Sequence, residues 1–149
     1  MCNLRPRSRG WLRIKSADPA AYPEIKLNYL AEEEDRKVAV DAMRFTRRIM
    51  AAPALQRYQP EEYKPGLSIE SDFELQKAAG QLGTTIFHPV GTCKMGGDAM
   101  AVVDSDLKVH GIQKLRVVDA SIFPRITSGN TNAPTYVIAE KGARAILKP

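Results

Sequence analysis

The chain has 149 residues, 44% of them hydrophobic and 26% charged, with a formal net charge of +5. That is chain enough for one ordinary buried core, the composition is ordinary for a soluble globular protein, and no internal repeat or low-complexity segment is seen. No apolar run approaches a membrane span, no signal peptide is read ahead of the first polar residues, and two cysteines, Cys2 and Cys93, make no disulfide framework, so a reducing, cytoplasmic setting is expected.

Taken in chain order, residues 4–28 read as extended. Arg5-Pro6 and Arg9-Gly10 punctuate the start, and Trp11-Leu12-Arg13-Ile14 is followed by turn signals at Ser16-Ala17-Asp18-Pro19 and Tyr22-Pro23. The basic group Arg5, Arg7, Arg9, Arg13 and Lys15 alternates with other residues, which favours a solvated strand face over a nucleic-acid phosphate track. From Glu33 to about Met50 the period changes. Val38, Ala42, Phe45 and Ile49 recur at helical spacing, with acids early and Arg44, Arg47 and Arg48 late, as the helix dipole favours; Pro53 then stops the helix.

Residues 58–65, rich in proline and charge, read as a loop. Ser71-Asp72-Phe73-Glu74 has the form of a capping box, Leu75, Ala78 and Leu82 give the helix behind it an apolar stripe, and Gly83 suits its end. Residues 84–97 are too irregular for plain helix or strand. Short strands are expected around 107–109 and 115–118, joined by a turn at His110-Gly111, with a loop over 119–132. Pro134 fits the first turn of a last helix. Tyr136, Val137, Ala139, Ala143, Ile146 and Leu147 leave that helix little polar surface, so it is expected to be substantially buried against a large sheet for which the chain supplies few strands.

Two irregular segments carry the candidate chemistry. In Phe87-His88-Pro89-Val90-Gly91-Thr92-Cys93-Lys94-Met95-Gly96, the proline biases His88 toward an extended backbone. Imidazole is the default acid–base group near neutral pH, although a lone histidine is more often satisfied by a loop carbonyl. In Leu115-Arg116-Val117-Val118-Asp119-Ala120-Ser121-Ile122-Phe123-Pro124, Asp119 is either a turn acid or a group beside a cofactor at the end of a strand. Gly129-Asn130-Thr131-Asn132 either caps the last helix or presents its free amides and positive dipole end to an anion. Cys93 and His110 have no zinc-like spacing to other ligands, so Cys93 reads as a packing residue, His110 as part of a turn, and no metal is expected. Trp11 reads as core or edge-strand packing.

The order and wording of these segments resemble the glucose–methanol–choline (GMC) oxidoreductases, specifically the C-terminal domain, and lean toward choline-dehydrogenase-like members. The resemblance covers nearly the whole chain. It runs from Leu4-Arg5-Pro6-Arg7-Ser8-Arg9-Gly10, through Ser16-Ala17-Asp18-Pro19 and Asn28-Tyr29-Leu30, to the His-Pro-Val-Gly-Thr, Leu-Arg-Val-Val-Asp-Ala-Ser and Gly-Asn-Thr-Asn-Ala-Pro-Thr strings. It implies an α+β fold. About residues 1–100 would supply part of a substrate-binding domain, a sheet with flanking helices, and about 101–149 the returning strand and helix of an FAD-binding α/β domain. It further implies hydride transfer from an alcohol carbon to flavin N5. His88 would be the catalytic acid/base and Asn130 the second catalytic residue, binding the substrate oxygen. Asp119 and Ala120 would lie near the FAD ribityl-pyrophosphate, and Asn132, Ala133 and Pro134 near the pyrimidine end of the isoalloxazine.

The Gly-x-Gly-x-x-Gly turn that opens the FAD domain in such enzymes is not in this sequence. The chain alone is therefore expected to be inactive and to need an N-terminal FAD region as its partner. Its last helix is expected to expose an apolar face that favours self-association, and a peripheral membrane location of the full-length protein stays open. A non-catalytic folding or partner-binding module is the other reading.

Overall fold

The computed structural model describes residues 1–147. The chain divides into two compact units, Met1–Ile86 and Phe87–Pro149. Both mix helix with short extended pieces, consistent with the α+β class.

The first unit begins with a small antiparallel hairpin. Strand β1 (Trp11–Arg13) pairs with β2 (Glu24–Lys26), with Leu12 opposite Ile25. The Arg13 guanidinium lies 4.4 Å from the centre of the Trp11 ring, so the half-buried tryptophan is packed at a strand edge, as its sequence context implied. Helix α1 (Glu33–Met50) carries Glu33, Glu34 and Asp35 in its first turn and Arg47 and Arg48 in its last. Pro53 opens a further single turn, α2 (Pro53–Gln56), where its missing N–H costs nothing. Helix α3 (Asp72–Leu82) starts with the expected reciprocal cap: Ser71 Oγ accepts from the Glu74 amide and the Glu74 carboxylate accepts from the Ser71 amide.

Helices α1 and α3 pack together, burying Val40, Leu75 and Ala78. The apolar stripe expected on α1 is half-buried at Val38 and Ala42 but displaced beyond them. Phe45 and Ile49 are exposed, and the covered face runs through Arg36, Val40, Met43 and Arg47. Leu82 is likewise exposed at the end of α3. The displacement has a polar cause at each end of α1. Arg47 is taken inward to form a two-pronged pair with Glu62 (both contacts 2.8 Å) and to donate to the carbonyls of Ile69 and Gly66, which holds the 62–69 loop across the helix. Hydrogen bonding to Glu62, strengthened by their opposite charges, raises the Arg47 pKa against its desolvation; the same pairing with Arg47 lowers that of Glu62.

At the other end, buried Asp35 accepts from the Arg7 amide (2.9 Å), the Ser8 amide (2.6 Å) and Asn3 Nδ2 (3.0 Å). The Ser8 hydroxyl in turn accepts from the Glu32 amide, at the mouth of the helix. The N-terminal segment therefore caps α1 from outside it, which explains why Glu32 makes no side-chain cap of its own.

The second unit has no ladder among its described residues, only isolated bridges pairing Met95 with Val103, Val103 with Val109, and Lys108 with Arg116. The strands expected at 107–109 and 115–118 are thus corrected to a single antiparallel bridge. Leu107 (φ 65°) and Lys114 (φ 61°) adopt left-handed backbone where those runs begin, which breaks the extended conformation a ladder requires. The turn between them is as expected, with Gly111 at φ 76°. The core is Val103, Leu107, Ile122 and Phe123, with Val90, Met95, Val118 and Ile138 packed around it.

The last helix, α3's successor α4 (Asn132–Leu147), lays Thr135, Ile138, Gly142 and Ala145 inward at helical spacing. Tyr136, Val137, Ile146 and Leu147 are 57–80% exposed, which corrects the expectation of substantial burial and agrees with that of apolar surface left open in the chain alone. The unit offers one layer for the helix to lie on and nothing for its far side. Contact on the near side is close. A Cβ placed on Gly142 would come within 2.4 Å of Val118 Cγ1.

Two expectations follow. Burial alone would raise the Asp35 pKa, but hydrogen bonds from Ser8 and Arg7, with the charge of Arg9, hold it below its ordinary 3.8. A carboxylate with a depressed folded pKa contributes stability that is complete above its unfolded pKa and is lost as pH falls through the folded value. Asp35→Asn is therefore expected to lose stability at neutral pH, by about 2–4 kcal/mol. Its melting temperature should fall less than the wild type's on acidification below about pH 4, and equal slopes for the two proteins would contradict this. Gly142→Ala is expected to cost about 1–3 kcal/mol by overpacking despite the better helix propensity of alanine. Adding Val118→Ala should recover part of that loss, which a double-mutant cycle of thermal melts measures directly.

Candidate active site

The histidine-bearing segment is held along the turn that follows residue 119 by backbone hydrogen bonds. The Cys93 amide donates to the Ser121 carbonyl (3.0 Å) and the Met95 amide to that of Ile122 (2.8 Å). Just upstream, Gly91 adopts φ 90°, and a Cβ there would stand 3.3 Å from the Phe123 carbonyl oxygen. Phe87 has φ 63°, and Pro89 biases the His88 backbone toward extended values, so His88 sits between two conformationally committed neighbours.

His88 is half-buried, and its Nδ1 lies 3.0 Å from Thr131 Oγ1. Thr131 is only 8% exposed, whereas Asn130 and Asn132 on either side are exposed. The structure thus brings His88 to the Gly-Asn-Thr-Asn loop, but to its threonine. Sequence reasoning passed over Thr131. No pattern in the sequence marks it: Thr131 lies in a bend just before Asn132 opens α4, and only its neighbour in space gives the hydroxyl a role. The Thr131 carbonyl also accepts from the Thr135 amide (3.0 Å) and hydroxyl (2.7 Å), tying the loop to the first turn of α4.

Asn132 and Ala133 are exposed at the start of α4, where the first amides of a helix have no partner within it, and no acidic residue occupies that first turn. Pro134, half-buried, has no amide to satisfy. Asp119 is exposed, and its Oδ1 caps the 3-10 turn Ala120–Ile122 by accepting from the Ser121 amide (2.8 Å) and hydroxyl. Ala120 is half-buried against the core.

Several other polar groups of the unit have structural partners. His110 Nε2 lies 3.0 Å from the Gly96 carbonyl oxygen, and Lys94 pairs with Asp98 at 2.8 Å. That pairing lowers the Asp98 pKa, and hydrogen bonding from the Lys108 amide lowers that of Asp104. Cys93 is a half-buried free thiol, and no group of three metal-ligating side chains converges among the described residues. No helix among them is long and apolar enough to cross a membrane.

The family model described as GMC oxidoreductase matches residues 6–139. The chain is 51% identical over 144 residues to a Klebsiella pneumoniae protein named oxygen-dependent choline dehydrogenase, covering 97% of this chain and 26% of that one. It is 52% identical over 146 residues to a Burkholderia pseudomallei protein of the same name, covering 98% and 26%. It thus spans about a quarter of the length of the curated relatives it matches. Among solved structures, an FAD-dependent oxidoreductase from Chaetomium thermophilum matches with a TM-score of 0.91 and 34% identity, over 98% of this chain and 26% of that one. A pyridoxine 4-oxidase from Mesorbium loti matches with a TM-score of 0.87 and 35% identity, over 95% and 28%.

The site geometry yields its own expectation. Gly91→Ala is expected to destabilise the second unit by about 1–3 kcal/mol, because alanine at that φ is strained and its methyl presses on the Phe123 carbonyl. Chemical denaturation checks this, and a change within a few tenths of a kcal/mol would contradict it.

Proposed function

The chain belongs to the GMC oxidoreductase family, and from that premise we propose a function for it. It is the C-terminal part of a choline-dehydrogenase-like, FAD-dependent alcohol oxidoreductase. His88 is its acid–base residue and Asn130 the donor to the substrate oxygen. The observation that carries this reading is the 3.0 Å contact of His88 with Thr131, which sets an imidazole beside the loop that presents Asn130.

The residues present fit a flavin. A half-buried imidazole, the exposed Asn130 and the exposed start of a 16-residue helix belong to segments joined through Thr131, and no acid in the first turn of α4 competes for its positive end. Asn132, Ala133 and Pro134 would hold the pyrimidine end of the isoalloxazine. Asp119 and Ala120 would hold the ribityl-pyrophosphate region, with Asp119 Oδ1 committed to its cap and Oδ2 the oxygen left for hydroxyls. Flavin, when bound, supplies the acceptor for the hydride that leaves the alcohol carbon.

The chain's own part is proton handling and charge placement. A neutral imidazole accepts the hydroxyl proton at Nε2, the ring nitrogen that Thr131 does not hold. The oxygen left behind carries developing negative charge, which the Asn130 amide and the protonated His88 meet with hydrogen bonds. The dipole of α4 favours negative charge near Asn132 and Ala133 by ~0.3–2 kcal/mol.

On this reading about residues 1–100 belong to the substrate domain and about 101–149 complete the FAD domain. The exposed face of α4 is where the N-terminal region packs, and the chain alone neither binds FAD tightly nor turns over. The test joins the chain to an N-terminal FAD region of its family and follows flavin absorbance on anaerobic addition of choline, an aliphatic alcohol and an aromatic alcohol. Bound flavin that bleaches with one of these is expected. His88→Ala should retain flavin and slow bleaching by about 10²-fold or more, and Asn130→Ala by a comparable factor. Undiminished bleaching in His88→Ala would refute the acid–base assignment, and absence of bound flavin would leave a non-catalytic module.

A further inference from the structure

An imidazole acts as a base through one nitrogen only, and which one is set by what the other nitrogen meets. For His88 the structure specifies the surroundings of Nδ1: Thr131 Oγ1 at 3.0 Å. We propose that Thr131 is a positioning residue whose hydroxyl oxygen accepts the Nδ1–H of His88, fixing the tautomer that leaves Nε2 unprotonated and turned to the substrate. This rests on the acid–base role proposed for His88 and goes beyond it by naming what makes the ring competent.

Three observations converge on Thr131. It is the buried member of the 130–132 stretch, at 8% exposure, so its hydroxyl faces the protein interior rather than solvent. Its carbonyl is held twice by Thr135, so the residue is clamped to the first turn of a long helix and cannot drift from the ring. His88 is correspondingly fixed from its own side by the left-handed Phe87 before it and the proline after it.

The direction of the hydrogen bond follows from chemistry. A threonine hydroxyl can donate or accept. If Thr131 donated to Nδ1, the neutral ring would carry its proton on Nε2 and could take none from an alcohol there. If Thr131 accepts, Nε2 holds a lone pair. When Nε2 then gains the alcohol proton, both nitrogens bear hydrogen and the contact to Thr131 persists unchanged. The same bond thus serves the ring before and after proton transfer, and no reorientation accompanies the step. A neutral imidazole left in water favours the opposite, Nε2–H tautomer, so the preference has to be imposed. Because Thr131 adjoins Asn130, the residue that orients the ring also fixes the loop that presents the carboxamide.

The test reads tautomers directly. The chain has two histidines, and long-range ¹H–¹⁵N correlation spectra of the histidine-labelled chain near neutral pH separate them. His110 is an internal control, because its Nε2 faces a carbonyl that can only accept, which requires Nε2–H. His88 is expected as Nδ1–H. Thr131→Val, which keeps shape and removes the hydroxyl, should convert most of it to Nε2–H, and Thr131→Ser should preserve Nδ1–H. In the flavin-loaded full-length protein, Thr131→Val should slow flavin reduction about tenfold or more, with flavin still bound and half-saturation for the alcohol little changed, and Thr131→Ser should restore most of the rate. A wild-type His88 found as Nε2–H overturns the proposal, and that spectrum decides even if the valine variant does not fold. An unaltered tautomer in Thr131→Val overturns it equally. The reading beneath it fails separately: full reduction in His88→Ala removes the base role whatever tautomer the ring holds.

Discussion

The second unit depends on the backbone hydrogen bonds by which Cys93 and Met95 donate to Ser121 and Ile122. In a sheet, a lost bond is one of many in a ladder. Here the bridges are isolated and the segments are joined by only two or three backbone bonds apiece, so each bond counts for more. What the pair links is consequential. The segment from His88 to Met95 carries the imidazole, the turn from Asp119 carries a candidate cofactor acid, and beneath both lies the core of Val103, Leu107, Ile122 and Phe123. Closing so long a loop costs entropy that two backbone bonds cannot offset alone. The apolar core beneath must hold the segments in place, and the bonds then set their register.

Much of this was legible in the sequence wherever local chemistry decides the outcome. The bounds of α1, the capping box of α3, the role of Pro134 in α4 and the turn at Gly111 are consequences of dipoles, caps and backbone restrictions that act within a few residues. Family wording added His88 and the Gly-Asn-Thr-Asn loop, whose segments the fold brings together. The illegible features depend on distant partners. Which face of α1 is covered was decided by Glu62 and by Ser8, neither of them near in sequence to the helix turn it engages. The expected strands were broken by left-handed residues, Leu107 and Lys114, whose types do not announce that conformation. Thr131 was overlooked because a threonine between two asparagines carries no chemical label until its neighbour in space is known.

Helix α4 carries more apolar surface than this chain covers. A helix with this many apolar residues normally buries most of them. This one is covered along Thr135, Ile138, Gly142 and Ala145 and exposed along Tyr136, Val137, Ile146 and Leu147. The covered face is finished in detail, since Gly142 admits Val118 at a distance no side chain would tolerate. The exposed side mixes Tyr136 and Val137 with Glu140, Lys141 and Arg144 and shows no such fitting. In a chain that spans about a quarter of its relatives' length, the difference follows from what is present to pack against.

Positive-φ backbone in the second unit occurs at Leu107 and Lys114, away from the candidate chemistry, and also on both segments that carry it. Phe87 before His88, Gly91 within the same segment and Ser128 before Asn130 all have positive φ, between 60° and 90°. For the non-glycine members such a conformation costs about 1–2 kcal/mol each relative to the right-handed or extended regions. A segment free to relax would not keep them. They persist because Gly91 accommodates the close approach of the Phe123 carbonyl, because the Cys93 and Met95 amides hold the chain downstream, and because Thr131 is gripped by Thr135 on one side and meets His88 on the other. Strain maintained at both ends of one hydrogen bond places its two partners more tightly than relaxed loops could. Ring orientation is the quantity that a proton acceptor beside a second bound group requires most, and it is the one that this arrangement constrains.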